Sequence, residues 1–180
     1  MKGSLQSAAG ALALLGAVAS GAAVRAEVVA AQPGGFEVVQ HVHIAAPPAR
    51  VWAAIGEVGS WWTSTHTYSQ NAANLSLKTE LGACFCERWT GGAVTHMIVV
   101  AVFPEKMLRL EGALGPLGGL GVVGHLTFVL KPEPQGTDLT LTYDVGGWTK
   151  DGLDRLAGPV DQVLGLQTQR LSSYVTTGKP

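Results

Sequence analysis

The chain has 180 residues with 12 basic and 13 acidic side chains, a net charge of −1, and so lacks the basic stripe that nucleic-acid binding needs. Charged residues make up 14% and apolar residues 47%, a balance that calls for an oversized core or an apolar internal cavity. No segment reaches the roughly 18–20 uninterrupted apolar residues of a membrane span, so no integral span is expected.

Lys2 gives a short positive start, and "ALALLGAV" (11–18) is an apolar stretch too short to cross a bilayer. With Val24-Arg25-Ala26 as a cleavage pattern, residues 1–26 read as a signal peptide, with cleavage after Ala26 or alternatively after Ala19. The expected location is periplasmic or secreted, and the absence of cysteine near the cleavage region speaks against a lipid anchor. Removing Lys2 and Arg25 leaves 10 basic against 13 acidic side chains, so the net charge moves from −1 to −3. The remainder, roughly 150 residues, is the size of one domain with one core.

Residues 27–35 ("EVVAAQPGG") read as a linker, and 36–176 as a single domain. "FEVVQHVHI" (36–44) alternates, with Phe36, Val38, Val42 and Ile44 on one face and His41 and His43 on the other, which predicts a half-buried strand. The two histidines lack a third ligand and face solvent, so no metal is expected. "APPARVWAAIGEV" (46–58) starts with two prolines and carries Val51, Trp52 and Ile55 at helical spacing, which predicts a short helix broken by Gly56 and Gly59. "SWWTSTHTYSQNAAN" (60–74) has no clean period and reads as a loop or short broken helix.

A run of strands follows, near 75–79, 83–90, 93–103, 106–113, 121–131 and 137–146, separated by turns without helical patterns. That spacing predicts an antiparallel meander. Cys84 and Cys86 lie two apart on one of these strands, where alpha carbons are about 6–7 Å apart, at or beyond the reach of a disulfide. Two buried thiols are the expected state, with a strained bridge as the alternative. From Asp151 to Thr176, Leu153, Leu156, Val160, Val163, Leu164, Leu171 and Tyr174 fall close to one helical face. Pro159 suits a first turn, so a short turn over 151–157 and a long helix from Pro159 to near Gly178 are expected.

Residues 119–124, "GLGVVG", match the G-x-G-x-x-G fingerprint of dinucleotide sites. The fingerprint works only where a strand runs into it and a helix starts from it, and here "HLTFVLKPEP" continues as a strand. No cofactor is expected. The run from Gly112 to Gly124 reads instead as a strand connection in which Leu117 and Leu120 form a flexible apolar lip.

The order is α+β: strand, two short helices, an antiparallel sheet of about six or seven strands in all, and one long carboxy-terminal helix. The strings "IAAPPARVWAAI", "SWWTSTHTYS", "LGACFCERW", "GTDLTLTYDVGGW" and "GPVDQVLGLQTQRLSSYV" resemble the SRPBCC superfamily over residues 36–176. These are the START-like or helix-grip proteins, and the likeness is to the polyketide-cyclase and chaperone-ATPase-activator-like branches. The resemblance implies a curved sheet gripping the long helix around a cavity for an apolar or amphipathic molecule such as a lipid, quinone or polyketide. Such a protein is a binder or carrier; the alternative is a cyclase, dehydratase or hydrolase acting in the same cavity. A monomer or weak dimer is expected.

Within that frame the candidate residues fall by element. Trp61, Trp62 and Tyr68 crowd one loop, where they either rim the mouth or cap the core. Leu126, Phe128, Leu141 and Tyr143 point inward from the last two strands, with Leu110 beside them. Leu117 and Leu120 form the lip, and Val163 and Gln167 project from the long helix. His96, among apolar neighbours Val94, Ile98 and Val100, is either an acid/base group or a satisfied core histidine. Catalytic candidates are His96, Tyr143 and Arg88, the last as a carboxylate anchor should it, rather than Glu87, face inward.

Overall fold

The computed structural model describes residues 25–180, so the signal-peptide reading, Arg25 and Ala26 apart, falls outside the described residues. Eight strands form one antiparallel sheet: β1 (Arg25–Gln32), β2 (Gly35–Ile44), β3 (Leu75–Ser76), β4 (Cys84–Trp89), β5 (Gly92–Phe103), β6 (Met107–Gly112), β7 (Gly121–Glu133) and β8 (Gly136–Trp148). Their order is β1-β2-β8-β7-β6-β5-β4-β3, so only the β2–β8 pairing departs from a simple meander. Between β2 and β3 lie two short helices, α1 (Pro48–Gly56) and α2 (Val58–Trp61), and the long helix α3 (Asp154–Thr177) closes the chain. The fold is the α+β helix-grip arrangement that the element order implies.

Period-two alternation builds the inner face. Leu126, Phe128 and Leu130 of β7 and Leu139, Leu141, Tyr143 and Val145 of β8 are all buried, with Leu126 opposite Tyr143 and Leu130 opposite Leu139. Helix α3 lays Leu164, Leu171 and Val175 on this face, packing against β1 and β2. It ends at Gly178, whose left-handed φ of 76° lets its N–H close on the Tyr174 carbonyl. Arg170 Nε donates to the Trp61 carbonyl at 2.7 Å, and the Tyr174 hydroxyl to Glu57 at 2.8 Å, which fixes the short helices to the long one. Among the described residues, no helix is long and apolar enough to cross a membrane.

Three expectations need correction. Residues 27–35, expected as a linker, are instead ordered: 27–32 belong to the exposed edge strand β1, which turns at Pro33–Gly34 and pairs with β2. Helix α3 starts at Asp154, not at Pro159, so the proline lies inside it and leaves the Arg155 carbonyl without its usual N–H partner. Cys84 and Cys86 are bridged, not free. The pairing of β4 with β5 is irregular there, and the contracted strand brings the two alpha carbons to 5.3 Å, well within disulfide range.

Candidate functional site

The irregularity in β4–β5 also makes the site. Phe85 pairs with Met97 and Cys86 with Thr95, so His96 is the extra residue of a β-bulge. A regular strand would put His96 and Met97 on opposite faces; here both are buried. Ile98 and Val100, expected to share the face of His96, are turned outward instead. On β4 the inward side chain is Glu87, fully buried, while Arg88 points outward. Arg88 is therefore not an anchor for the cavity; it lines a separate, more open groove of about 900 Å³ beneath α1, α2 and residues 75–84.

Glu87 is the hub of the site. Its carboxylate accepts the backbone N–H of Tyr68 at 3.0 Å and of Ser69 at 2.6 Å, and His96 Nε2 lies at 3.3 Å. Burial pushes this carboxyl up, but the bonds from Ser69, Tyr68 and His96 outweigh it and hold it below its ordinary 4.5. An ionised carboxylate only accepts, so the His96 nitrogen facing it carries the proton. The other nitrogen, Nδ1, is buried and has no partner among the described residues. Burial drives the His96 pKa below 6.5, and the bond and charge of Glu87 oppose this without overcoming it.

His96 and Tyr68 border a cavity of about 380 Å³. Its wall is mainly apolar: Trp62, Leu75 and Phe85 on one side, Leu114, Pro116 and Leu117 at the mouth, and Leu156, Val160, Val163 and Leu164 from α3. His96 and Tyr143 also line it, with Thr65, His66, Thr67 and Tyr68 at the rim. The Tyr143 hydroxyl accepts the Leu114 N–H at 3.0 Å, and burial pushes its pKa up to about 12, so it is a neutral phenol at any ordinary pH. Tyr68 and His96 stack at 5.9 Å between ring centres.

Two segments cover the mouth and touch each other. The 62–74 loop is pinned to the sheet by Glu87 and to α3 by Gln167, whose Oε1 accepts from Thr63 N at 3.0 Å and whose Nε2 meets His66 Nδ1 at 3.0 Å. The 113–120 connection carries a short 3-10 turn, Gly115–Gly119. The Tyr68 hydroxyl donates to the Gly115 carbonyl at 2.8 Å, joining the two.

Of the residues expected at the cavity, Trp62, Tyr68, His96, Leu117, Tyr143 and Val163 line it. Leu110, Leu126, Phe128 and Leu141 do not; they are buried in the hydrophobic core. Trp61 is likewise core, its indole N–H on the Ala54 carbonyl at 2.7 Å. Gln167 acts as a loop clamp, and Leu120 is exposed outside the mouth. His41 and His43 are exposed, bonded to Thr140 and Asp138, and the Asp138 bond raises the His43 pKa. Among the described residues, no group of three or more His, Cys, Asp or Glu is placed to hold a metal.

"GLGVVG" leads into β7, with no helix after it. Its last glycine has a local reason: a β-carbon at Gly124 would stand 2.7 Å from the Tyr143 ring and 2.6 Å from the Asp144 carbonyl. The glycine makes room for the tyrosine that reaches the cavity.

The family model described as polyketide cyclase / dehydrase and lipid transport matches residues 35–175. No curated protein matches the chain in sequence. Among solved structures, a Mesorhizobium loti protein is 24% identical with a TM-score of 0.56, covering 76% of this chain and 94% of its own. CalU16 of Micromonospora echinospora is 15% identical with a TM-score of 0.56, over 91% and 87%. Aha1 of Colwellia psychrerythraea, solved as a dimer, is 18% identical with a TM-score of 0.57, over 80% and 98%. At these identities the likeness is one of fold.

Proposed function

The chain belongs to the polyketide cyclase / dehydrase and lipid transport family of the SRPBCC superfamily, and from that premise we propose that it is an exported binder or carrier of a compact apolar or amphipathic molecule. The observation that carries this reading is the cavity between the bulged strands and the first half of α3, with its mainly apolar wall and few polar groups. At about 380 Å³ it is near the small end of ligand pockets, which run from roughly 300 to 1,000 Å³. A ring system or a single short chain suits that size better than a two-chain lipid. Export is supported by the pattern of residues 1–26 and by the Cys84–Cys86 bridge, which suits an oxidising compartment.

Fluorescence titration with N-phenyl-1-naphthylamine tests the binding reading. Saturable one-to-one uptake, weakened when Val163→Trp fills the cavity, is expected; equal uptake by the two proteins contradicts it. A second reading, an enzyme acting in the same cavity, is favoured by one observation: His96, which is paired with the buried Glu87, lines the cavity together with Tyr143.

A further inference from the structure

The Cys84–Cys86 bridge is a poor staple for this fold. A disulfide stabilises mainly by constraining the unfolded chain, and the effect grows with the loop it closes. This one spans a single residue, Phe85, on a strand that already has ladder partners on both sides at Cys86. Its surroundings suit reaction better. Residues two apart on a strand share a face, so Cys84, Cys86 and Arg88 lie opposite the inward-pointing Phe85 and Glu87. Cys84 is partly exposed and borders the groove of about 900 Å³, whereas Cys86 is only 2% exposed. The two sulfurs are therefore not equivalent: an incoming group reaches Cys84, and Cys86 is the one that departs.

The neighbours favour sulfur in its anionic form. The Thr95 hydroxyl on β5 stands 3.6 Å from Cys86 Sγ and 3.7 Å from Cys84 Sγ, and a hydroxyl donates to a thiolate. Arg88 and Lys78 border the same groove and have no hydrogen-bond or ion-pair partner among the described residues. Of the acids there, Glu57 is occupied by Arg50 and Tyr174, and Glu80 remains. Two free cations against one free acid lower the cost of a thiolate at this wall. The groove also has room for a chain. Strand β3 pairs with β4 only opposite Cys86 and Glu87, which leaves Cys84 without a strand on its groove side. An extended polypeptide fits such an uncovered strand edge.

We propose that the Cys84–Cys86 bridge is a thiol–disulfide exchange site that oxidises paired cysteines of an extended polypeptide held in the groove. A thiolate of the polypeptide attacks Cys84 Sγ. The Cys84–Cys86 bond breaks, and its electron pair leaves on Cys86 Sγ, beside the Thr95 hydroxyl. The second thiolate of the polypeptide then attacks the polypeptide's own sulfur in the mixed disulfide, and the pair of that bond returns to Cys84 Sγ. The polypeptide gives up two electrons and two protons and becomes a disulfide; the bridge takes up both and becomes two thiols. The bridge is itself the oxidant, so one turnover needs no other. The exchange does not involve the cavity and stands apart from both readings of it.

The probe is a reduced synthetic peptide carrying a Cys-x-x-Cys pair, mixed anaerobically with an equal amount of the full protein. Samples are quenched with iodoacetamide and followed by mass spectrometry. Peptide disulfide and two alkylated protein cysteines should appear together, faster than the same peptide is oxidised by an equal concentration of oxidised glutathione. Reduced glutathione, a single thiol, should be trapped on Cys84 with the alkyl group on Cys86. Arg88→Ala should slow the peptide reaction about fivefold, the size of one exposed charge interaction, and Arg88→Lys should restore it. Added salt should narrow the gap between wild type and Arg88→Ala. Thermal melts establish that the variants are folded, and the wild-type comparison with oxidised glutathione stands without them.

Exchange no faster than with oxidised glutathione overturns the proposal and returns the bridge to a structural role. Glutathione trapped on Cys86 overturns the assignment of Cys84 as the attacked sulfur. A rate unchanged in Arg88→Ala removes Arg88 from the site.

Discussion

A buried carboxylate is stable only when hydrogen bonds replace the water it has lost, and Glu87 obtains two of them from the loop it holds in place. The same atom therefore serves architecture and chemistry, which makes the site sensitive to acid. The sign follows from two depressed pKa values. The bonds of Glu87 stabilise the fold above the carboxyl's ordinary 4.5, and this contribution is lost as pH falls through the lower folded value. His96 resists the proton that an unfolded chain accepts below 6.5, so stability is lost on that side too as pH falls. Urea midpoints should decline from pH 7 to pH 4, and Glu87→Gln should start lower at pH 7 and decline at least as steeply, because His96 without the carboxylate resists its proton more strongly. A midpoint independent of pH in the wild type would contradict this account of the pair.

At the scale of elements, regular alternation is legible in sequence and its interruptions are not. The strands β2, β7 and β8 follow period two without a break, and their inner faces could be read residue by residue. In β5 one inserted residue reverses parity, so His96 and Met97 both face in, and no residue type announces such a bulge. The parity of β4 was equally open, since Glu87 and Arg88 compete for one face. Its acid turned inward because the loop's N–H groups and His96 are there to meet it. Glu87 is thus the residue that reading by motif missed. An acid next to the apolar stretch "ACFC" was the available signal.

The mouth is governed by a contact between loops, Tyr68 to Gly115, 47 residues apart, which no local pattern encodes. Tyr68→Phe removes the bond to the Gly115 carbonyl that joins them. Amide exchange over 113–119 should quicken while the amides of β7 and β8 keep their protection. Unchanged exchange in that segment would show that the tyrosine does not hold the mouth.

For the whole molecule, the sheet grips only part of its helix tightly. Leu164, Leu171 and Val175 close one end, and the first half of α3, with Pro159 inside it, spans the cavity. The export proposal adds a prediction for the mature chain. Protein recovered from the host's exported fraction should begin at Glu27 and show no iodoacetamide-reactive thiol until it is reduced. Free thiols at Cys84 and Cys86 in that material would contradict the bridge and with it the support for an oxidising compartment. Such a start would leave β1 residues Glu27–Gln32 paired with β2.

The central claim is that the cavity holds a compact molecule, and native mass spectrometry of protein purified from its own host tests it most directly. The wild type should carry a single copurified adduct of low mass, and Val163→Trp, purified in the same way, should lack it. The bare protein mass alone in both samples, or an adduct that survives the substitution unchanged, would contradict the claim.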